Sequence, residues 1–117
     1  MNRSFDHLVL AVNDLDSASE FYKKIGFKIT PRAQHPFGTG NHLVQLQGCF
    51  LELLGVTQPD NIPTLDDTAF NFSAYNQDYL TRGQGLSMMV LQTKDAAADR
   101  DEFAAYGLET YDLFNFS

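Results

Sequence analysis

The same strand–helix unit occurs twice in this sequence, and the repeat narrows the possible folds more than any other feature. In the first copy, Asp14 can cap a helix that Gly26 ends, and in the second copy Asp95 and Gly107 are placed to do the same. Asp95 follows Asp14 by 81 residues, and Gly107 follows Gly26 by the same 81, so the copies align without a gap. This register predicts a fold built from two similar modules.

The first copy opens with a strand that has two different faces. Within residues 5–12, Leu8 and Leu10 lie on one apolar face, while His7 and Val9 point to the other. His7 therefore points away from the face on which a helix is expected to pack.

An amphipathic helix is expected directly after this strand. Apolar residues recur at spacings of three and four over residues 15–25. The N-cap is either Asp14 or Ser17, the latter in a capping box with Glu20. A short second strand is expected to begin at residues 27–29.

A β-hairpin is predicted over residues 42–56, with Gln47 and Gly48 in its turn. This register pairs Leu43 with Glu52, and cross-strand partners share a face. The predicted face carries Leu43, Gln45, Phe50, Glu52 and Leu54. Burying the Glu52 carboxylate among apolar residues is costly unless another group pairs with it.

The remaining segments complete one α+β domain, since 117 residues suffice for a single core. We expect a loop over 31–41, helix-compatible spacing over 72–79, a strand over 85–93, a helix over 95–106 and an extended segment over 108–111. The domain then divides into a first module (1–56), a connector (57–84) and an incomplete second module (85–117).

Charge and composition exclude several classes of partner. The formal net charge of −7, without a basic stripe, disfavours nucleic acid and anionic membranes as partners. The sequence contains no run of about 18 apolar residues, so it predicts no membrane-spanning helix. The single cysteine, Cys49, and the absence of a signal-peptide pattern at the first residues indicate a reducing, cytoplasmic location.

Several short motifs follow one another along the chain: Asp6-His7, Asn13-Asp14-Leu15, Phe21-Tyr22, Gly26-Phe27 and Phe50-Leu51-Glu52-Leu53. Their order resembles that of the vicinal oxygen chelate superfamily. More narrowly, His35-Pro36, Gly38-Thr39 and Asn41 resemble its glyoxalase-like domain, in the glyoxalase/bleomycin resistance protein/dioxygenase family. The likeness is strong over residues 5–56 and weaker over residues 85–111.

The resemblance implies paired βαβββ modules that form a curled mixed sheet with helices outside, the second module being truncated. It also implies that His7 and Glu52 are metal ligands, and that Glu52 is a catalytic residue. Imidazole and carboxylate suit Zn, Mn, Fe or Ni, which polarise substrate oxygens as Lewis acids. The second copy departs from this pattern: Met88 stands 81 residues after His7, and the counterpart of Glu52 falls beyond Ser117.

A wider set of residues is expected to contact a small-molecule ligand. These substrate-binding candidates are His35, Thr39, Asn41, Gln45, Phe50, Tyr75 and Met88. His35 and His42 are also candidates for further ligands or acid–base groups. Both proposed metal ligands also have an ordinary structural interpretation. His7 can be a strand histidine that is hydrogen-bonded to its surroundings, and Glu52 can be a solvent-facing carboxylate of an antiparallel strand.

Three hypotheses for function follow. The first is a protein that binds a small molecule in a sheet-lined cavity, with or without a divalent metal held by His7 and Glu52. The second is a metal-dependent lyase, isomerase or dioxygenase whose site is assembled at a homodimer interface. The third is a non-catalytic fragment of a longer protein. Residues 114–117 look like an unfinished strand, and an unpaired strand edge favours homodimerisation.

Overall fold

The computed structural model describes residues 3–114, which form five strands and three α-helices. In chain order these are β1 (Phe5–Ala11), α1 (Leu15–Lys24), β2 (Ala33–Gln34), β3 (Thr39–Gln45), β4 (Phe50–Val56), a short 3-10 helix (Pro59–Asn61), α2 (Phe72–Leu80), β5 (Gly85–Leu91) and α3 (Ala96–Ala105). No helix in this part of the chain is both long and apolar enough to cross a membrane.

The strands form one open mixed sheet in the order β2-β3-β4-β1-β5. β1 pairs in parallel with the central strand β4 and antiparallel with the edge strand β5. The β3–β4 hairpin has the expected register, with Leu43 opposite Glu52. The predicted α+β class, with a mixed sheet and packed helices, is therefore confirmed.

Local side-chain bonds explain where the repeated helices begin. Asp14 caps α1, because its carboxylate accepts a hydrogen bond from the Ser17 backbone N–H at 3.0 Å. Asp95 caps α3 in the same way, through the Ala98 N–H at 3.0 Å. The two helices start and end 81 residues apart, as the sequence repeat predicts.

The helix α1 packs on one face of the sheet. Val12, Leu15, Val44 and Leu53 form the buried cluster on this side. The sequence-based assignment of faces is confirmed, because His7 belongs to the alternate set of β1 residues and lies on the opposite face.

The helix α2 covers part of that opposite face. It contacts β1 and β4, and its fully buried Asn76 places Nδ2 3.7 Å from Met88 Sδ. Met88 is the cross-strand partner of Val9, which shares the His7 face and is fully buried. The sheet thus has a helix on each side.

Three local expectations differ from the structure. The segment 31–41 is not a loop throughout, because β2 pairs with β3 around a turn at 35–38. Ile29 makes only an isolated bridge to Val44. Residues 108–111 form no strand; Asp112 N–H instead donates to the Thr68 carbonyl at 2.8 Å. Phe114 is exposed outside any strand, and the rest of the expected strand at 114–117 lies outside the described residues.

Candidate functional site

His7 and Glu52 meet on the two central strands. Parallel pairing of β1 and β4 sets Val9 beside Glu52 and His7 beside Phe50. In this register His7 Nε2 lies 3.4 Å from Glu52 Oε1. Both side chains are largely buried, with 15% and 10% exposure. The structure therefore brings the two expected metal ligands together.

Two neighbours fix the orientation of the His7 ring. Its Nδ1 lies 2.6 Å from Asp6 Oδ2, and a carboxylate oxygen only accepts, so Nδ1 carries the proton. The hydrogen bond from His7 holds the pKa of Asp6 below its usual value. Phe50 stacks on the ring at 4.3 Å between centroids. Nε2 of the ring then faces Glu52.

The other oxygen of Glu52 is held by a polar chain that reaches the β2–β3 turn. Asn41 Nδ2 donates to Glu52 Oε2 at 2.7 Å and lies 3.3 Å from His35 Nε2. His35 Nδ1 is 2.7 Å from Thr39 Oγ1. Burial lowers the pKa of His35, and the negative charge of Glu52 opposes that shift.

An aromatic contact connects the polar chain of Glu52, Asn41 and His35 to a cavity of about 360 Å³. His35 stacks on Phe37 at 4.9 Å, and Phe37 meets Phe72 edge-on at 6.1 Å. The cavity walls are Phe37, parts of the segment 63–73 and residues 112–114. His7 and Glu52 are not among them, so the cavity adjoins the polar chain through Phe37 and is not lined by the sheet itself.

The other expected residues lie away from the His7–Glu52 pair or contact different groups. Gln45 shares the face of Glu52 but is exposed at the end of β3. Tyr75 donates its hydroxyl to the Ser87 carbonyl at 3.0 Å, and Met88 contacts α2. His42 lies on the α1 side of the sheet, where its Nδ1 is 2.8 Å from the Thr30 carbonyl oxygen.

Sequence reasoning did not assign a role to Asp6 or Phe37. Asp6 was visible as the neighbour of His7, but alternation along a strand places adjacent side chains on opposite faces. Its carboxylate nevertheless reaches the His7 ring. Phe37 was visible only as part of a turn sequence, and nothing local indicated its contact with α2.

The donor set fits one divalent cation with open coordination positions. Ligand distances of about 2.1 Å to nitrogen and oxygen suit a pair of donor atoms that are 3.4 Å apart. Asp6 and Asn41 act on these donors as the outer-shell partners of metal ligands usually do. Among residues 3–114, no three His, Cys, Asp or Glu side chains cluster as a complete metal site.

Comparison with protein-family models confirms the expected membership of the vicinal oxygen chelate superfamily. Residues 5–116 match the family profile described as "Glyoxalase-like domain". The protein belongs to this family. No curated protein sequence matches the chain.

Several solved structures share the fold. A hypothetical protein from Bacillus halodurans C-125 is 17% identical with a TM-score of 0.68, the match covering 92% of this chain and 70% of that one. Methylmalonyl-CoA epimerase from Mycobacterium tuberculosis is 22% identical with a TM-score of 0.64, covering 91% and 65%. A hypothetical protein from Staphylococcus aureus is 24% identical with a TM-score of 0.68, covering 93% and 44%. These TM-scores establish a common fold.

Proposed function

We propose that this protein binds a small molecule through a divalent cation held by His7 and Glu52. One observation carries the proposal: Nε2 and Oε1 face each other at 3.4 Å while the other polar atom of each side chain is already bonded. Two electron-pair donors in this arrangement need a proton or a metal cation between them, since an imidazole that also carries a proton on Nε2 would donate to Glu52. A metal cation satisfies both donors and, unlike a proton, leaves positions for a ligand.

The residues around the pair define what each contributes. His7 offers a neutral imidazole nitrogen, kept in the required tautomer by Asp6, and Glu52 offers one oxygen while Asn41 holds the other. This donor set suits Zn, Mn, Fe or Ni. When bound, such an ion polarises a carbonyl or a pair of neighbouring oxygens on the ligand.

The cavity next to Phe37 is the proposed place for the less polar part of the ligand. Its volume of about 360 Å³ lies within the range of about 300–1,000 Å³ that is typical of small-molecule sites. Methylmalonyl-CoA epimerase, one of the proteins with this fold, has been solved in complex with methylmalonyl-CoA. We therefore propose an oxygen-bearing organic molecule as the ligand class.

A second candidate is a metal-dependent lyase, isomerase or dioxygenase assembled in a homodimer. It is favoured by the fact that the described residues bring only two candidate ligands together. In this version a second copy completes the coordination and Glu52 moves a proton. Sedimentation of the cation-loaded protein distinguishes the candidates, because a monomer that still binds the cation would contradict assembly between copies.

Calorimetric titration of chelator-stripped protein with Zn²⁺ or Mn²⁺ tests the proposed function. We expect one bound cation per chain in the wild type. Glu52→Gln should weaken affinity by more than about 100-fold, since loss of an outer-shell partner alone costs about 10- to 100-fold. Glu20→Gln is the matched control, because Glu20 is an exposed carboxylate on α1. Equal affinity in all three proteins, or no binding by the wild type, would contradict the proposal.

A further inference from the structure

We propose that His35 is a positioning residue: its ring holds the Asn41 side-chain amide in the orientation that donates to Glu52. His35 does not touch the proposed cation, and it acts on the ligand set through Asn41. The proposal rests on the proposed function only where cation affinity is the readout. Its structural part, the direction of the hydrogen bonds, stands without a cation.

The orientation of the amide follows from its two neighbours. Asn41 Nδ2 lies 2.7 Å from Glu52 Oε2 and 3.3 Å from His35 Nε2. The ionised carboxylate has no proton to donate, so the amide presents its NH₂ group and not its oxygen. One hydrogen goes to Glu52 and the other points to His35. His35 Nε2 must therefore be an acceptor.

This requirement selects one tautomer of His35. With a lone pair on Nε2, the neutral ring carries its proton on Nδ1, which donates to Thr39 Oγ1 at 2.7 Å. Thr39 is fully buried at the start of β3, so solvent does not compete for this contact. An imidazole with the proton on Nε2 would set two N–H groups against each other at Asn41.

The surroundings of His35 hold the ring in place and favour its neutral form. Phe37 stacks on one side, and the β2–β3 turn closes with a hydrogen bond from the His35 N–H to the Thr39 carbonyl at 2.8 Å. Burial lowers the pKa of His35, although Glu52 on β4 opposes this shift. The neutral ring is the form that can accept from Asn41.

Two-bond ¹H–¹⁵N spectra of the histidine rings test the tautomer directly. We expect His35 to carry its proton on Nδ1 in the wild type and to lose that preference in Asn41→Leu. His42 is an internal control: its Nδ1 faces the Thr30 carbonyl on the opposite side of the sheet, and its spectrum should not change. A proton on Nε2 of His35 in the wild type would overturn the proposal.

A pair of substitutions separates positioning from mere packing. His35→Phe keeps a ring against Phe37 but removes the acceptor, whereas His35→Gln restores an acceptor for Asn41. We expect Zn²⁺ affinity to fall about tenfold in His35→Phe, the lower end of outer-shell effects, and to recover largely in His35→Gln. Retained affinity in His35→Phe together with a loss in His35→Gln would show that His35 only fills space, and equal losses in both variants would also overturn the proposal. If the wild type binds no Zn²⁺, the proposed function fails, while the tautomer spectra still decide the role of His35.

Discussion

Replacing Gly38 with alanine tests how the β2–β3 turn presents His35 to the site. Gly38 has a φ of +97°, and a Cβ built there would lie 2.7 Å from the Gln58 carbonyl oxygen and 2.9 Å from Ile62 Cγ1. The left-handed conformation costs a non-glycine residue about 1–2 kcal/mol. Overpacking against rigid neighbours costs about 1–3 kcal/mol more. Together, we expect Gly38→Ala to lower the free energy of unfolding by about 2–5 kcal/mol.

Gly26→Ala is the matched control, because it shares the strain without the steric clash. Gly26 has a φ of +102°, and nothing lies within 4 Å of the position its Cβ would take. Its predicted loss is about 1–2 kcal/mol. Urea unfolding followed by circular dichroism measures both variants at equal protein concentration. Equal losses of unfolding free energy in the two variants would contradict the prediction. They would show that steric contact with the 58–62 segment does not contribute to the requirement for glycine at position 38.

Three further perturbations have defined outcomes. Asp14→Ala should lower the unfolding free energy by about 1 kcal/mol through loss of the α1 cap, and adding Ser17→Ala should cost little more if Asp14 alone is the cap. Leu53→Ala, at a fully buried position, should cost about 2–5 kcal/mol in urea unfolding, whereas Leu108→Ala, at a position 60% exposed, should be near neutral. The native pKa of His35 lies below its unfolded value of 6.5, so between these two values the unfolded chain binds more protons than the folded protein. The free energy of unfolding should therefore rise with pH in this range. A pH series in which His35→Gln keeps the full slope would contradict this.

Much of the fold was predictable because the responsible interactions are local. Gln47 and Gly48 define a two-residue turn, and that turn alone sets Leu43 opposite Glu52. The choice between Asp14 and Ser17 as cap needed coordinates, since both satisfy the same sequence pattern. Short-range interactions therefore predicted the helix α1, the β3–β4 hairpin and the register of that hairpin.

The neighbourhood of the site was harder to predict because it depends on contacts between distant segments. His7 and Glu52 are 45 positions apart in the sequence and adjoin only because β1 and β4 pair in parallel. The expectation that they meet came from the family resemblance. The packing of α2 on the His7 face has no sequence pattern that indicates it. The same holds for Phe37, which joins the turn to the cavity through Phe72.

X-ray absorption of the Zn²⁺-loaded protein tests the central claim, cation binding by His7 and Glu52, most directly. The account predicts nitrogen and oxygen donors at about 2.0–2.2 Å with the outer scattering of one imidazole per chain. His7→Gln should remove the imidazole scattering, while His42→Gln should leave it in place. A wild-type spectrum without imidazole, or one that His7→Gln leaves unchanged, would contradict the account.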